Sequence, residues 1–342
     1  MSSKVNLING NFITLDDSCP IADTISVEKG RIAGINATDH NCENIDLQGA
    51  AVIPGFTDSH FHLSNLGKQL DTLNLRNCRS SKDVLERVVK RSRELDESSW
   101  IFGFGWDHNK WAKPEFPTAD LLNDLTISQP VMLTRIDGHS CWVNQKAMQL
   151  SGLDVSINPP EGGDIINDCI LIDNAMDPVQ FVIPKPDESS VEKWIKLALD
   201  IILPWGITNV HDAWQDPTTV KVLQKLAKID ELPIRVYGML GSSYPKLLRQ
   251  FFNAGHFQSG NYTIRSAKAF IDGALGSRGA ALLEPYCDDK NNCGLILISN
   301  KEFKELAQRC RDAGFQLCTH AIGDRGNRIV LDVYSEAVNG LK

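Results

Sequence analysis

Three short stretches carry residue types suited to metal or acid–base chemistry. The first is Asp58-Ser59-His60-Phe61-His62. Side chains alternate along a strand, so Asp58, His60 and His62 share a face. Two imidazoles on one face at a strand end can grip a metal ion from a single rigid element. The competing reading is a pair of surface or core histidines. The second stretch is Ala267-Lys268-Ala269-Phe270-Ile271-Asp272, where Lys268, Phe270 and Asp272 share a face. Burying a charged amine in an apolar strand is costly. Lys268 therefore either pairs with a carboxylate such as Asp272 or loses its charge chemically. The third stretch is Leu317-Cys318-Thr319-His320-Ala321-Ile322-Gly323-Asp324. His320 falls where a parallel strand should end, the position at which barrel enzymes gather catalytic groups. A hydrogen-bonded loop histidine is the alternative.

The elements that must position these residues differ along the chain. The first 50 or so residues read as short strands, with Asn9-Gly10 as a hairpin signal and candidates at 24–27, 31–35 and 45–47. The stretch Phe56-Thr57-Asp58-Ser59-His60-Phe61-His62 reads as a buried strand with a polar end. Residues 64–175 are mixed. A helix is expected at 82–95, with Ser80 and Asp83 as a capping box, a strand at 131–133, and a loop at 158–163. From 188 onward the rhythm is regular. Helices are expected at 190–203, from Pro217 with Asp216 as its cap, at 245–254, 300–313 and 326–338. Strands are expected at 207–211, 234–240, 266–271 and 315–319. Strands alternating with helices of this length mean βαβ units and a parallel sheet.

Composition bounds the function. A chain of 342 residues allows about two domains, or one large barrel with an appendage. The net charge of −8 argues against nucleic-acid or anionic-membrane partners, which need a basic footprint. With 42% hydrophobic and 23% charged residues the chain resembles an ordinary enzyme rather than a disordered or coiled-coil protein. There is no apolar run of about 18 residues and no signal-peptide pattern. The nine cysteines are irregularly spaced, with no CxxC pair, and suggest neither a disulfide framework nor a zinc ribbon. A reducing, cytoplasmic setting is expected.

Six motifs together resemble amidohydrolase family 3 of the metal-dependent amidohydrolase superfamily, in its N-substituted formamide deformylase-like branch. They are Pro54-Gly55-Phe56-Thr57-Asp58-Ser59-His60-Phe61-His62, Gly105-Trp106-Asp107, Arg135-Ile136-Asp137-Gly138-His139-Ser140, Gly206-Ile207-Thr208-Asn209-Val210-His211-Asp212-Ala213, Asp272-Gly273-Ala274-Leu275-Gly276-Ser277-Arg278 and His320-Ala321-Ile322-Gly323-Asp324-Arg325.

The resemblance implies an α/β fold: a (β/α)₈ TIM-like barrel, about five strands of it present. Residues 1–52 would be the N-terminal part of a β-sandwich domain, and 53–342 the partial barrel, with 64–175 inserted after its first strand. It also implies zinc or another divalent metal, one or two ions. His60, His62, Lys268 (on the fourth strand, where the superfamily often carries a carboxylated lysine) and His320 (on the fifth) would be the ligands, with Lys268 and His320 acting in catalysis. Asp107, Arg135, His139, His211, Ser277 and Arg278 would line the pocket for a small-molecule amide. His139 and His211 could equally be structural, and Arg278 could serve a loop-stabilising salt bridge.

The family pattern continues with a histidine on the sixth strand and an aspartate on the eighth. Closing the barrel takes three more βα units of about 30 residues each, and the sequence ends at Lys342. A C-terminally truncated form is therefore expected, with weak metal binding and little turnover of its own. The expected function is cleavage of non-peptide C–N bonds by metal-activated water. The alternative is a non-catalytic family member acting as a binding or regulatory module. Oligomeric state is not legible.

Overall fold

The computed structural model describes residues 4–39, 42–153 and 159–338. The expected βαβ rhythm is present in its second half. Five strands lie parallel and adjacent in chain order: β1 (Phe56–Phe61), β2 (Ile207–Gln215), β3 (Arg235–Gly241), β4 (Tyr262–Phe270) and β5 (Gln316–His320). The helices beside them are α1 (Leu63–Asp71), α2 (Glu188–Ile202), α3 (Pro217–Lys228), α4 (Pro245–Ala254), α5 (Asn300–Asp312) and α6 (Asp324–Val338).

Local chemistry explains their ends. Asp216 caps α3 by accepting the Thr219 N–H at 2.9 Å, with Pro217 in the first turn. Gly255 ends α4 and Gly314, at φ +75°, follows α5. The Ser299–Glu302 capping box of α5 was not expected. Helix α2 starts two residues earlier than its sequence suggests, because Asp187 rather than Ser189 is the cap and accepts the Ser190 N–H at 2.8 Å.

Strand alternation divides this sheet into two faces. Val210, Val236, Leu240, Ile264, Ala267 and Ala269 are buried against the helices, with Ile195, Leu223, Leu226 and Phe303 in the same core. The opposite face carries Asn209, His211, Tyr237, Lys268, Cys318 and His320. β1 was expected to be buried. Among the described residues it is an edge strand paired with β2 alone, so its side chains are exposed or half-buried.

A second six-stranded sheet is built between β1 and β2 in sequence. Its order is Gly163–Ile166, Ile170–Asp173, Ser140–Val143, Val131–Arg135, Ile101–Trp106 and Leu73–Asn74. Both faces are covered by apolar clusters, one containing Ile101, Leu133 and Trp142, the other Met132, Cys141 and Val143. The expected helix at 82–95 is Ser81–Ser92, with Ser80 accepting the Asp83 N–H at 3.2 Å. Of the loop expected at 158–163, Asn158 lies outside the described residues and Gly163 opens a strand.

The N-terminal strands form two small sheets, one of four strands and one of three. Asn9-Gly10 is not a hairpin turn. Lys4–Ile8 and Asn11–Ile13 belong to different sheets, and only Asn9 has positive φ, whereas a two-residue hairpin of the expected type needs it at both positions.

Candidate metal centre

His60 and His62 stand at the carboxyl end of β1, where the chain passes directly into α1. Their rings meet edge-on with centroids 5.4 Å apart. The Asp58 carboxylate accepts the His60 N–H at 3.0 Å, so it braces its own strand end. Burial lowers the His62 pKa from its ordinary value, and the positive charges of His60 and Lys268 push the same way. His62 is thereby held in the neutral form that binds metals, within electrostatic reach of the Lys268 amine.

What fixes His62 lies on the neighbouring strand. Asp212, fully buried on β2, accepts the N–H of Leu63, the next residue after His62, at 2.9 Å. Its other oxygen accepts from Gln215 Nε2 at 2.8 Å, and Gln215 Oε1 accepts from the Tyr262 hydroxyl on β4. Burial raises the Asp212 pKa to about 6.

Lys268 is 5% exposed. Its Nζ lies 5.6 Å from the centroid of the Phe270 ring, and burial depresses its pKa, opposed only by the facing Cys318. The ion pair with Asp272, one of the two alternatives read from the sequence, is not made. Asp272 accepts three backbone N–H groups instead, from Ala281 at 2.9 Å, Ile322 at 3.0 Å and Gly323 at 2.8 Å. Backbone donors from two loops reach the carboxylate, and no carboxylate of the described residues forms an ion pair with Lys268.

The β4–β5 register places Lys268 beside Cys318 and Phe270 beside His320. Paired residues of adjacent strands share a face. The His320 ring lies 5.0 Å from that of Phe270, and its Nε2 is 3.9 Å from Asp272 Oδ1. Among the described residues no group of three His, Cys, Asp or Glu side chains is spaced to hold a metal ion. The structure thus joins the two imidazoles and brings Lys268 near them, without a third donor of those types. A metal fits this donor set only with Lys268 as an oxygen ligand: a carbamate would turn the buried cation into an anion and remove the cost of burying it.

The remaining sequence candidates lie elsewhere. Asp107 and Arg135 pair at 3.3 Å in the second sheet, and Arg135 also binds Asp137. His139 Nδ1 is 2.9 Å from Asp173 on the rim of that sheet. Among the described residues no hydrogen bond, ion pair or ring contact links these three to His60, His62, Lys268 or His320. His211 stacks obliquely on Tyr237 at 5.1 Å. Ser277 Oγ donates to the Ala274 carbonyl at 3.3 Å, and Arg278 pairs with Asp288 at 3.0 Å, the loop-stabilising alternative. Sequence reasoning missed the Asp212–Gln215–Tyr262 network. Asp212 was quoted in the sequence motif, but strand alternation alone does not single it out, because Thr208, Asn209 and His211 on the same strand are polar as well.

Residues 43–341 match the model of the amidohydrolase family described as "Amidohydrolase family". The chain is 30% identical to Protein LONG AFTER FAR-RED 3 of Arabidopsis thaliana, covering 97% of this chain and 61% of that protein. It is also 30% identical to YtcJ of Bacillus subtilis, whose name assigns it provisionally to the amidohydrolases, covering 95% of this chain and 64% of that protein. The crystal structure of an uncharacterized metal-dependent hydrolase from Pyrococcus furiosus superposes with a TM-score of 0.83 at 28% identity, covering 98% of this chain and 70% of that one. The chain belongs to the amidohydrolase family. It spans a little over three fifths of the length of these two curated relatives.

Proposed function

We propose that the protein is a metal-dependent hydrolase of non-peptide C–N bonds in small-molecule amides, acting in the cytoplasm. The five parallel strands are read as the opening part of a (β/α)₈ barrel. Residues 1–52 are read as part of a β-sandwich domain and 64–175 as an insertion in the barrel domain 53–342. The narrower placement among enzymes of N-substituted formamides rests on the motifs alone.

The observation that carries this reading is Lys268: a buried amine with no carboxylate partner among the described residues, close enough to His62 to depress its pKa. A structural lysine would be paired or solvated. A depressed pKa raises the fraction of neutral amine. The neutral nitrogen can add to the carbon of CO₂, forming an N–C bond and releasing a proton, to give a carbamate. His60, His62, carbamylated Lys268 and His320 would then hold one or two divalent ions, zinc by ligand type. Such an ion acidifies water towards a pKa of about 7 and polarises an amide carbonyl. His60 and His62 serve as nitrogen donors on a rigid strand end, and Arg278 and Ser277 lie on a loop that can approach a substrate.

Three measurements test this: metal content of the purified protein, the same for His60→Ala and Lys268→Ala, and hydrolysis of a panel of N-formyl and N-acyl amides. The expected result is bound metal in the wild type and its loss in both variants. Equal metal content in all three would refute the assignment and leave the binding-module alternative.

A further inference from the structure

Asp272 is the most completely enclosed carboxylate beside the candidate centre, at 0% exposure. It sits just beyond the end of β4, two residues after Phe270. Oδ2 accepts the N–H groups of Ala281 and Gly323, and Oδ1 accepts that of Ile322. The first donor belongs to the loop that follows β4 and the other two to the turn that follows His320. One carboxylate therefore stitches two loops together across the mouth of β4 and β5. The space around it is also closed sterically: a Cβ at Gly326 would lie 2.6 Å from Oδ2, so any larger residue there must push the carboxylate aside. On its remaining side Oδ1 faces His320 Nε2 at 3.9 Å, the separation of an ion pair rather than a hydrogen bond.

A buried carboxylate without a cation is expensive unless several donors hold it. Three backbone N–H groups meet that need without Lys268. Lys268 is thereby left for other chemistry, while the negative edge is directed at the His320 ring.

We propose that Asp272 is a positioning residue: it fixes the turn carrying His320 and orients the imidazole towards the candidate centre. Its role as a support for metal binding rests on the function proposed above; its role in ordering His320 does not. Asp272→Asn replaces one acceptor oxygen by an NH₂ group, which must then face a backbone N–H or the His320 ring. Gly326→Ala leaves the charge intact and displaces the carboxylate. Both alter the contact through different physics.

The experiment uses the purified, metal-stripped protein and cobalt(II) alone as the probe. Visible absorption gives its affinity and coordination spectrum, and imidazole NMR of the metal-free protein reports the His320 ring. Expected are one sharp His320 environment in the wild type, and exchange-broadened or multiple His320 signals in both variants. Cobalt affinity should fall about 10- to 100-fold, as when a ligand's supporting hydrogen bonds are removed, with the far-ultraviolet circular dichroism retained. Unchanged His320 signals in either folded variant would overturn the proposal. Should one variant fail to fold, the other decides. Wild type that binds no cobalt, yet shows the His320 change in the variants, would refute the metal reading and leave the positioning role standing.

Discussion

The Asp212 carboxylate and the Leu63 amide, 149 residues apart in the chain, are joined by a hydrogen bond of 2.9 Å in a fully buried setting. Leu63 follows His62 immediately, so the bond fixes the point where β1 turns into α1. Strand β2 thus determines where the paired imidazoles stand. Gln215 and Tyr262 extend the same network to β4, the strand that bears Lys268. Strands β1, β2 and β4, which carry or adjoin His60, His62 and Lys268, are thus locked to one another.

Asp212→Asn should change the pH dependence of stability. The folded state holds the Asp212 pKa at about 6, above its ordinary 3.8. The fold therefore favours the protonated carboxyl. Its favourable share is fully present below about pH 4 and is lost as pH rises through about 6. The difference is on the order of 3 kcal/mol. Asparagine keeps an acceptor for Leu63 and stays neutral, and the Gln215 amide can reverse to meet its NH₂. Urea unfolding at about pH 4 and about pH 7 should show the variant gaining on the wild type at the higher pH. A constant difference between the two would contradict the assignment.

Gly67→Ala should unfold much of the structure's stability in one step. Helices α1 and α2 pack so closely at Gly67 that a Cβ there would overlap the backbone carbonyl of Trp194. Asp71 secures the same crossing, accepting Trp194 Nε1 at 3.0 Å and Lys193 Nζ at 2.7 Å. Backbone cannot yield as a flexible side chain does, so the expected loss is about 3 kcal/mol or more. Denaturant midpoints measure it, and a midpoint equal to the wild type would mean that the helices are not this close.

Where the determinants are local, the sequence is a good guide. Asp216-Pro217 starts α3 and Gly255 stops α4 through hydrogen bonds spanning only a few residues. The strand–helix rhythm after 188 was legible for the same reason, and alternation put His60 and His62 on one strand end without knowledge of neighbours. Non-local pairing was not legible. The second sheet joins Ser140–Val143 to Ile170–Asp173 and Leu73–Asn74 to Ile101–Trp106, strands about 25 or more residues apart in the chain. For Asp272 the sequence offered an ion pair with Lys268 as one alternative, and the structure does not make it. Its true partners are backbone N–H groups of residues 281, 322 and 323, which only the folded loops bring to it.

Arg278→Ala separates two roles of one side chain. Arg278 pairs with Asp288 at 3.0 Å and Asp289 at 3.8 Å at an exposed site. Exposed pairs contribute about 0 to 1 kcal/mol, so the melting temperature should barely move. If the guanidinium contacts an amide substrate, KM should rise about tenfold or more with kcat retained. An unchanged KM on a substrate that the wild type hydrolyses would reduce Arg278 to a loop brace.

Lys268→Met should produce two opposite effects. Methionine preserves the stem that packs in the apolar strand and removes the amine that burial penalises. Burial places the folded-state pKa of Lys268 below the ordinary 10.5. Folding therefore disfavours the charged amine, and stability rises with pH towards about 10 as the unfolded chain also loses that proton. Metal-stripped Lys268→Met should accordingly be more stable than wild type by about 1 kcal/mol at neutral pH, an advantage that shrinks in alkaline solution. The same substitution should abolish metal retention, because no oxygen donor can form at that position. A lysine kept only for packing would show the gain without the loss of metal. Thermal melts across pH, run beside metal analysis on the same two proteins, read both effects. A destabilised variant that still holds metal would remove Lys268 from the centre.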